Sequence, residues 1–351
     1  MREFKGVKPS LALELTGFAG TPKVFRDRFR SASDGTHQRY SARQIRKIRK
    51  ILAGIPETPS PCGEFPPIID VRMTKGGVGK TTVGGNASSA MAMMGHRILM
   101  IDGDPQASLT GLFGINWETT PLTHISELMK RVSHGEPSRI EDAVFPIYED
   151  GMLDLIPTDI SMANDMWLLS ALNRDHAFTR LLEAEKEFFC RYDAIVIDSA
   201  PGSSLLATTF MLASKLLLTV VEPQGKALAA LGVLASNVRE INEAFSRSGV
   251  KLDVHIVVNK FNQSKQPHRD ALVKLGEDYP GKINDTIIRD SVGFLRETDL
   301  DSVEDNGPII EKEPNSGGAR DILDLASSLV KLYGIELGHY DPVIPEAVEA
   351  A

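Results

Sequence analysis

From Pro67 onward, short runs of branched and other apolar residues alternate with longer stretches of helical character. The runs are Ile68–Met73, Arg97–Asp102, Leu153–Ile156, Ala194–Asp198, Leu216–Val221, Val254–Val258 and Thr286–Ile288. Runs of this length, separated by helix-length segments, predict an α/β fold: a mostly parallel open sheet with helices on both faces. Thr81–Met94 is rich in Ala and Met and closes at Gly95, as a helix packed on that sheet would. Upstream, Ser41 and Gln44 have capping-box spacing, Ile45, Ile48, Ile51 and Leu52 recur on one helical face, and Gly54 supplies a stop. A short amphipathic helix is therefore expected there. Residues 1–40 show no sustained period and read as a loosely ordered arm, with Leu11, Leu13, Leu15 and Phe18 as a short apolar contact element. Pro56, Pro59, Pro61, Pro66 and Pro67 crowd a stretch that cannot continue a helix. The expected organisation is a basic arm and helix over 1–65 as a small helical extension, a main domain over 66–335, and a tail over 336–351.

Composition adds limits. A chain of 351 residues with 42% hydrophobic content suits one large domain and an appendage. No stretch of about 18 apolar residues occurs, and Lys5, Lys8 and Glu14 interrupt the start, so a cytoplasmic protein with no membrane partner is expected. The tail after Tyr333 is too short and too acidic for a basic membrane-binding helix. Cys62 and Cys190, the only cysteines, cannot build a zinc or iron–sulfur site within one chain. Both are expected as reduced thiols, with Cys190 packed in the core behind Phe188 and Phe189. The net charge of −8 hides an asymmetry: residues 1–60 hold 13 Lys/Arg against 5 Asp/Glu, a surplus of +8, while the rest holds 26 against 42, or −16. An acidic total therefore does not exclude nucleic acid. The polar face of the predicted helix carries Arg43, Arg46, Lys47, Arg49 and Lys50, which either meet phosphates or are simply solvated. Arg46 and Lys47 are candidate DNA contacts on the first reading.

The sharpest chemistry follows the first predicted strand: Lys75-Gly76-Gly77-Val78-Gly79-Lys80-Thr81-Thr82, leading straight into the Ala-rich helix. Glycines let the backbone curl so that successive N–H groups point at phosphate oxygens, and the helix start adds its positive dipole end. Lys80 would reach the β- and γ-phosphates, and the Thr81 hydroxyl would ligate Mg²⁺. Thr74 occupies the place of the first glycine in the usual G-x-x-x-x-G-K-[ST] expression.

The run K-G-G-V-G-K-T-T resembles the deviant Walker A loop of the ParA/MinD superfamily, with Lys75 matching the extra lysine of that family. The resemblance covers roughly residues 67–335. It implies a P-loop ATPase that takes ATP and Mg²⁺ and forms a homodimer in the ATP state, Lys75 crossing the interface to the partner subunit's nucleotide. The segment Asp102-Gly103-Asp104-Pro105-Gln106 resembles the family's D-x-D-P-Q switch. By that match Asp104 is the catalytic carboxylate beside Lys75 and Lys80, holding the attacking water in line with the γ-phosphate. Asp102 either fixes the loop or meets the metal's water shell. Ile195-Val196-Ile197-Asp198 has Walker B character, so Asp198 would bind Mg²⁺ through water, and Ala200–Gly202 would form a second switch. In Val257-Val258-Asn259-Lys260 the family's corresponding Asn reads adenine, its amide both donating and accepting; the alternative is a strand-ending Asn in a turn.

In partition ATPases of this family, an arginine near Ile287-Ile288-Arg289-Asp290-Ser291-Val292 belongs to a basic surface that binds DNA without sequence preference. Arg289 and Arg296 are the candidates, against the reading of surface arginines paired with Asp290 and Glu297. The resemblance thus implies a DNA-partition ATPase of plasmid-segregation type, associated with the nucleoid and slow until a ParB-like centromere-binding protein stimulates it. Positioning a protein cargo without DNA is the alternative; an amidoligase of the same broad fold would need a substrate pocket.

Overall fold

The structure is a computed structural model that describes residues 4–29, 39–55, 65–164, 166–171, 174–202, 204–248, 251–298 and 305–338. Among them, β1 (Ile68–Arg72), β2 (Ile98–Gly103), β3 (Phe145–Tyr148), β4 (Leu153–Ile156), β5 (Ala194–Ser199), β6 (Leu216–Val221) and β7 (Asp253–Val258) form one sheet. The strand order is β3-β4-β2-β5-β1-β6-β7. Every neighbouring pair is parallel except β3 with β4. Strands β1, β2, β4 and β5 are buried along their whole length, which is why they read as continuous apolar runs and not as alternating ones.

Two strand expectations change. Thr286–Ile288 is not a strand: the chain runs beside β7, with Ile288 N–H donating to the Val258 carbonyl at 2.9 Å and Asn284 N–H to the Ile256 carbonyl at 2.8 Å. Only isolated bridges form there, at Ile283 and Arg289. Conversely β3 gave no sequence signal, being four residues long with exposed Pro146 inside it and a register shift between Pro146 and Tyr148.

The segment expected as a loose arm contains two helices, α1 (Pro9–Thr16) and α2 (Pro22–Arg28), ahead of α3 (Ala42–Ala53). Aromatic burial holds them: Phe25 and Tyr40 are fully buried with ring centroids 5.2 Å apart, and Phe18 sits 5.6 Å from Phe25. Residues 30–38 of the expected arm lie outside the described residues. The predicted cap of α3 is present in full. Ser41 Oγ accepts from Gln44 N–H at 3.3 Å, Gln44 Oε1 accepts from Ser41 N–H at 2.9 Å, and Gly54 closes the helix at φ 67°.

The polar face of α3, however, is only in part a solvent face. Arg46 is buried, paired with Asp193 at 2.6 Å and donating to the Gly95 carbonyl at 2.9 Å; Lys50 is buried as well. Arg49 donates to the Met94 carbonyl. The helix is pressed against the turn that ends α4 (Lys80–Met93), where a Cβ on Gly95 would stand 2.8 Å from the Arg46 backbone. Gly95 has φ +90° at that contact. Arg46 therefore cannot be a DNA contact, because its guanidinium is spent inside the molecule; Arg43 and Lys47 remain exposed. Ile45 and Ile48 belong to the same continuous core as Met91 of α4 and Met100 of β2.

Cys190 also departs from expectation. It is half-buried and disulfide-bonded, not a reduced core thiol; Cys62 lies outside the described residues. The C-terminal tail is described only to Gly338, whose N–H donates to Asp193. No helix among the described residues is long and apolar enough to cross a membrane.

Candidate functional site

Strand order puts β1 between β5 and β6, so the loop leaving β1 emerges beside the ends of both. Gly77 and Gly79 hold φ of 77° and 90°, the left-handed region that glycine enters without steric penalty, and the chain then turns into α4. Gly79 is the N-cap, and no side chain caps the helix. Its first N–H groups are thus left to an anionic ligand, at the positive end of a 14-residue helix. Val78 packs into the core and anchors the loop, while Lys80 is buried beneath it. Thr74, standing where the usual motif has glycine, donates its hydroxyl to the Ala230 carbonyl at 2.9 Å.

The parallel register of β2 and β5 sets Asp102 directly beside Asp198. Both are buried. Burial and the neighbouring Asp102 charge push the Asp198 carboxyl up to about 8, and burial pushes Asp102 up to about 6. Thr81 donates its hydroxyl to Asp198 Oδ2 at 2.6 Å, whereas Asp198 Oδ1 is buried with no hydrogen-bond partner. An orphaned carboxylate oxygen beside a threonine hydroxyl, at the mouth of a phosphate loop, is a donor set that fits Mg²⁺, which takes one or two protein oxygens and keeps water and phosphate for the rest. Asp102 resolves to the loop-fixing role: its Oδ2 accepts from Thr110 N–H at 2.8 Å and Thr110 Oγ1 at 2.7 Å. Asp104, half-buried on the turn beyond it, accepts from Gln106 N–H at 3.0 Å through Oδ1.

On the other side of the loop Lys75 is partly exposed, its Nζ 3.9 Å from Glu222 at the end of β6. Asn259 is buried at the end of β7, and its Nδ2 donates to the Val78 carbonyl at 2.9 Å. One N–H of the amide is thereby spent on the loop, and its second N–H and its oxygen remain for an adenine edge. The structure brings Lys75, Gly76–Thr82, Asp104, Asp198 and Asn259 to one edge of the sheet, where open α/β sheets bind ligands. It does not bring Arg289, Arg296 or Lys47 into the loop's hydrogen-bonded surroundings. Arg289 forms a two-pronged pair with Asp321, at 2.7 and 2.8 Å, and Arg296 pairs with Glu313 at 3.0 Å. Their partners are thus not Asp290 and Glu297, and the Arg side chains stay 58% and 68% exposed. Glu297 is instead buried, accepting from Asn86 Nδ2 of α4 at 2.5 Å and from Ile309 N–H at 2.7 Å.

Sequence reasoning passed over one buried network. In β1, Asp70 and Arg72 pair at 3.0 Å, and Arg72 reaches Ser199 Oγ at 3.2 Å and the Ala207 carbonyl at 2.9 Å. Two opposite charges at i and i+2 in an otherwise apolar run were the available signal. A cavity of about 480 Å³ lies elsewhere, lined by Phe4, Phe113, Ile115 and Tyr148, and shares no residue with the phosphate loop.

The AAA_31 family, described as an AAA domain, matches residues 67–252, just over half of the chain. The chain belongs to the AAA_31 family. Its curated relatives include the cell division protein PomZ of Myxococcus xanthus, 27% identical over 73% of this chain and 75% of that protein. The sporulation initiation inhibitor protein Soj of Bacillus subtilis is 28% identical over 75% of this chain and 97% of its own length. With these relatives, the AAA_31 chain is a ParA-type member of the ParA/MinD superfamily. Among solved structures, a plasmid partition protein from Borrelia burgdorferi bound to AMPPNP superposes with a TM-score of 0.59, covering 76% of this chain and 99% of that one at 21% identity. That likeness carries the fold: a P-loop α/β domain.

Proposed function

We propose that the protein is a ParA-like ATPase that partitions DNA by cycling between a nucleotide-bound, DNA-binding homodimer and a released monomer. The observation that carries the reading is the uncapped α4 behind a glycine loop, with Lys75 left partly exposed beside it. Lys80 neutralises the β- and γ-phosphates, and Thr81 and Asp198 hold Mg²⁺. When bound, the ion balances phosphate charge during transfer. Asp104 orients the attacking water, and Lys75 leaves Glu222 to close over the partner subunit's nucleotide. That exchange makes dimerisation a consequence of the γ-phosphate, and a ParB-like centromere-binding protein would speed slow basal hydrolysis. The AMPPNP bound to the Borrelia protein supports ATP as the ligand. Arg289, Arg296 and Lys47 supply the exposed charge for DNA on the nucleoid of a cytoplasmic protein. Neutralising several phosphates at once gives binding that weakens steeply with salt and ignores sequence.

Light scattering with a non-hydrolysable ATP analogue tests the cycle. Wild type should dimerise, Lys75→Ala should bind nucleotide but stay monomeric, and Lys80→Ala should bind none. Normal dimerisation of Lys75→Ala would remove the cross-subunit role.

One observation favours a second reading, in which a protein cargo is positioned without DNA. Val292 and Leu295, flanked by Arg289 and Arg296, are 63% and 77% exposed, a mixed apolar and basic surface suited to a protein partner. Binding to random duplex DNA that needs ATP and falls with salt supports partition; its absence supports cargo positioning.

A further inference from the structure

Lys260 was not among the residues expected at the site, and its backbone is unusual. It follows β7 directly with φ +55°, a left-handed conformation that a non-glycine residue adopts only against steric resistance. Successive side chains of an extended strand point opposite ways, yet here two neighbours converge on one target. Asn259 Nδ2 donates to the Val78 carbonyl at 2.9 Å, and Lys260 Nζ donates to the Gly77 carbonyl at 2.8 Å. These carbonyls belong to consecutive peptide groups of the phosphate loop.

A planar trans peptide holds its C=O and N–H in opposite directions. Fixing the Gly77 carbonyl therefore aims the Val78 N–H, and fixing the Val78 carbonyl aims the Gly79 N–H. We infer that Asn259 and Lys260 together form a brace that presets these two N–H groups for a polyphosphate, making Lys260 a positioning residue for nucleotide binding. The fit is tight: a Cβ on Gly79 would stand 2.3 Å from Asn259 Nδ2 and 3.9 Å from Lys260 Cε. The left-handed turn at Lys260 is the local strain that this convergence requires. The recognised ligand is the triphosphate chain, not the base. The inference rests on the nucleotide-binding reading above and adds to it how the loop is held in shape.

Calorimetry on the full chain with Mg²⁺ and each of ATP, GTP and inorganic tripolyphosphate tests the brace. A lost charged hydrogen bond should weaken all three ligands by the same factor in Lys260→Met, roughly tenfold. Lys260→Arg, which keeps a cationic donor, should recover most of the loss. Amide exchange at Val78 and Gly79 should also accelerate in ligand-free Lys260→Met, which a contact to base or ribose would not cause. Asn259→Ala should behave like Lys260→Met; Asn259 is buried, so the half-buried Lys260 carries the decision if that variant misfolds. Unchanged tripolyphosphate binding in Lys260→Met, with loss confined to ATP, would overturn the brace. A wild-type chain that bound none of the three would overturn the nucleotide reading itself, and the brace with it.

Discussion

Replacing Arg46 with methionine separates a buried structural charge from a DNA contact. Arg46 and Asp193 are 3% and 2% exposed and 2.6 Å apart, and Asp193 also accepts from Arg97 N–H at 2.9 Å and from Gly338 N–H at 3.0 Å. Methionine fills most of the volume but leaves the Asp193 carboxylate without its cation in a dry setting. Breaking a buried pair from one side costs about 3–5 kcal/mol. With an unfolding entropy of about 2.1 cal/mol/K per residue, the 351-residue chain has about 0.7 kcal/mol/K if it melts as one unit. The melting temperature should therefore drop by about 4–7 °C, read by scanning calorimetry in the absence of nucleotide. Pairing it with Asp193→Asn should recover part of the loss, since the stranded charge is then gone. DNA affinity of the folded Arg46→Met protein should match wild type. A shift under 1 °C, or a loss of DNA binding in protein shown to be folded, would refute the burial argument.

Gly79→Ala should abolish measurable ATP binding while the sheet stays intact by circular dichroism, since φ +90° and Asn259 both exclude a Cβ. Glu297 is held up at about 7 by burial, against an ordinary value of 4.5. A carboxyl whose folded value is raised stabilises below about pH 4.5 and loses that contribution as pH rises through about 7, so the melting temperature of Glu297→Gln should gain on wild type across that window and run parallel above it. Double replacement Arg289→Ala with Arg296→Ala should lower ATP-dependent DNA affinity and reduce the slope of log affinity against log salt by roughly 2. An unchanged slope in filter binding would place the DNA surface elsewhere.

What was legible in the chain depended on distance along it. The phosphate loop occupies consecutive residues, and its geometry follows from Gly77 and Gly79 alone. Asp104 and Asp198 were readable because each ends or follows an apolar run, and the cap of α3 because its partners are three residues apart. Arg46 misled for the opposite reason. A charge on an amphipathic helix reads as solvent-facing, and its partner Asp193 is 147 positions away. The same holds for Arg289, whose adjacent Asp290 suggested a pair while Asp321 makes it. Asn259 was found, but the bond from one of its amide N–H groups to the Val78 carbonyl, 181 positions away, is a fact that no local pattern carries. The α1 and α2 helices were hidden by brevity: at eight and seven residues they hold together by burying Phe25 and its aromatic neighbours, not by periodicity.

The two margins of the sheet bear on how copies of the protein can meet. On one, β3 carries Pro146, which offers no N–H to a newcomer, and its slipped register spoils a straight ladder. On the other, the backbone through Ile283 and Ile288 already occupies the hydrogen-bonding template of β7. Neither border invites strand-by-strand growth into fibres. Copies of the protein therefore find no ladder to extend at either margin, and the nucleotide-dependent pairing proposed above has no edge-to-edge competitor there.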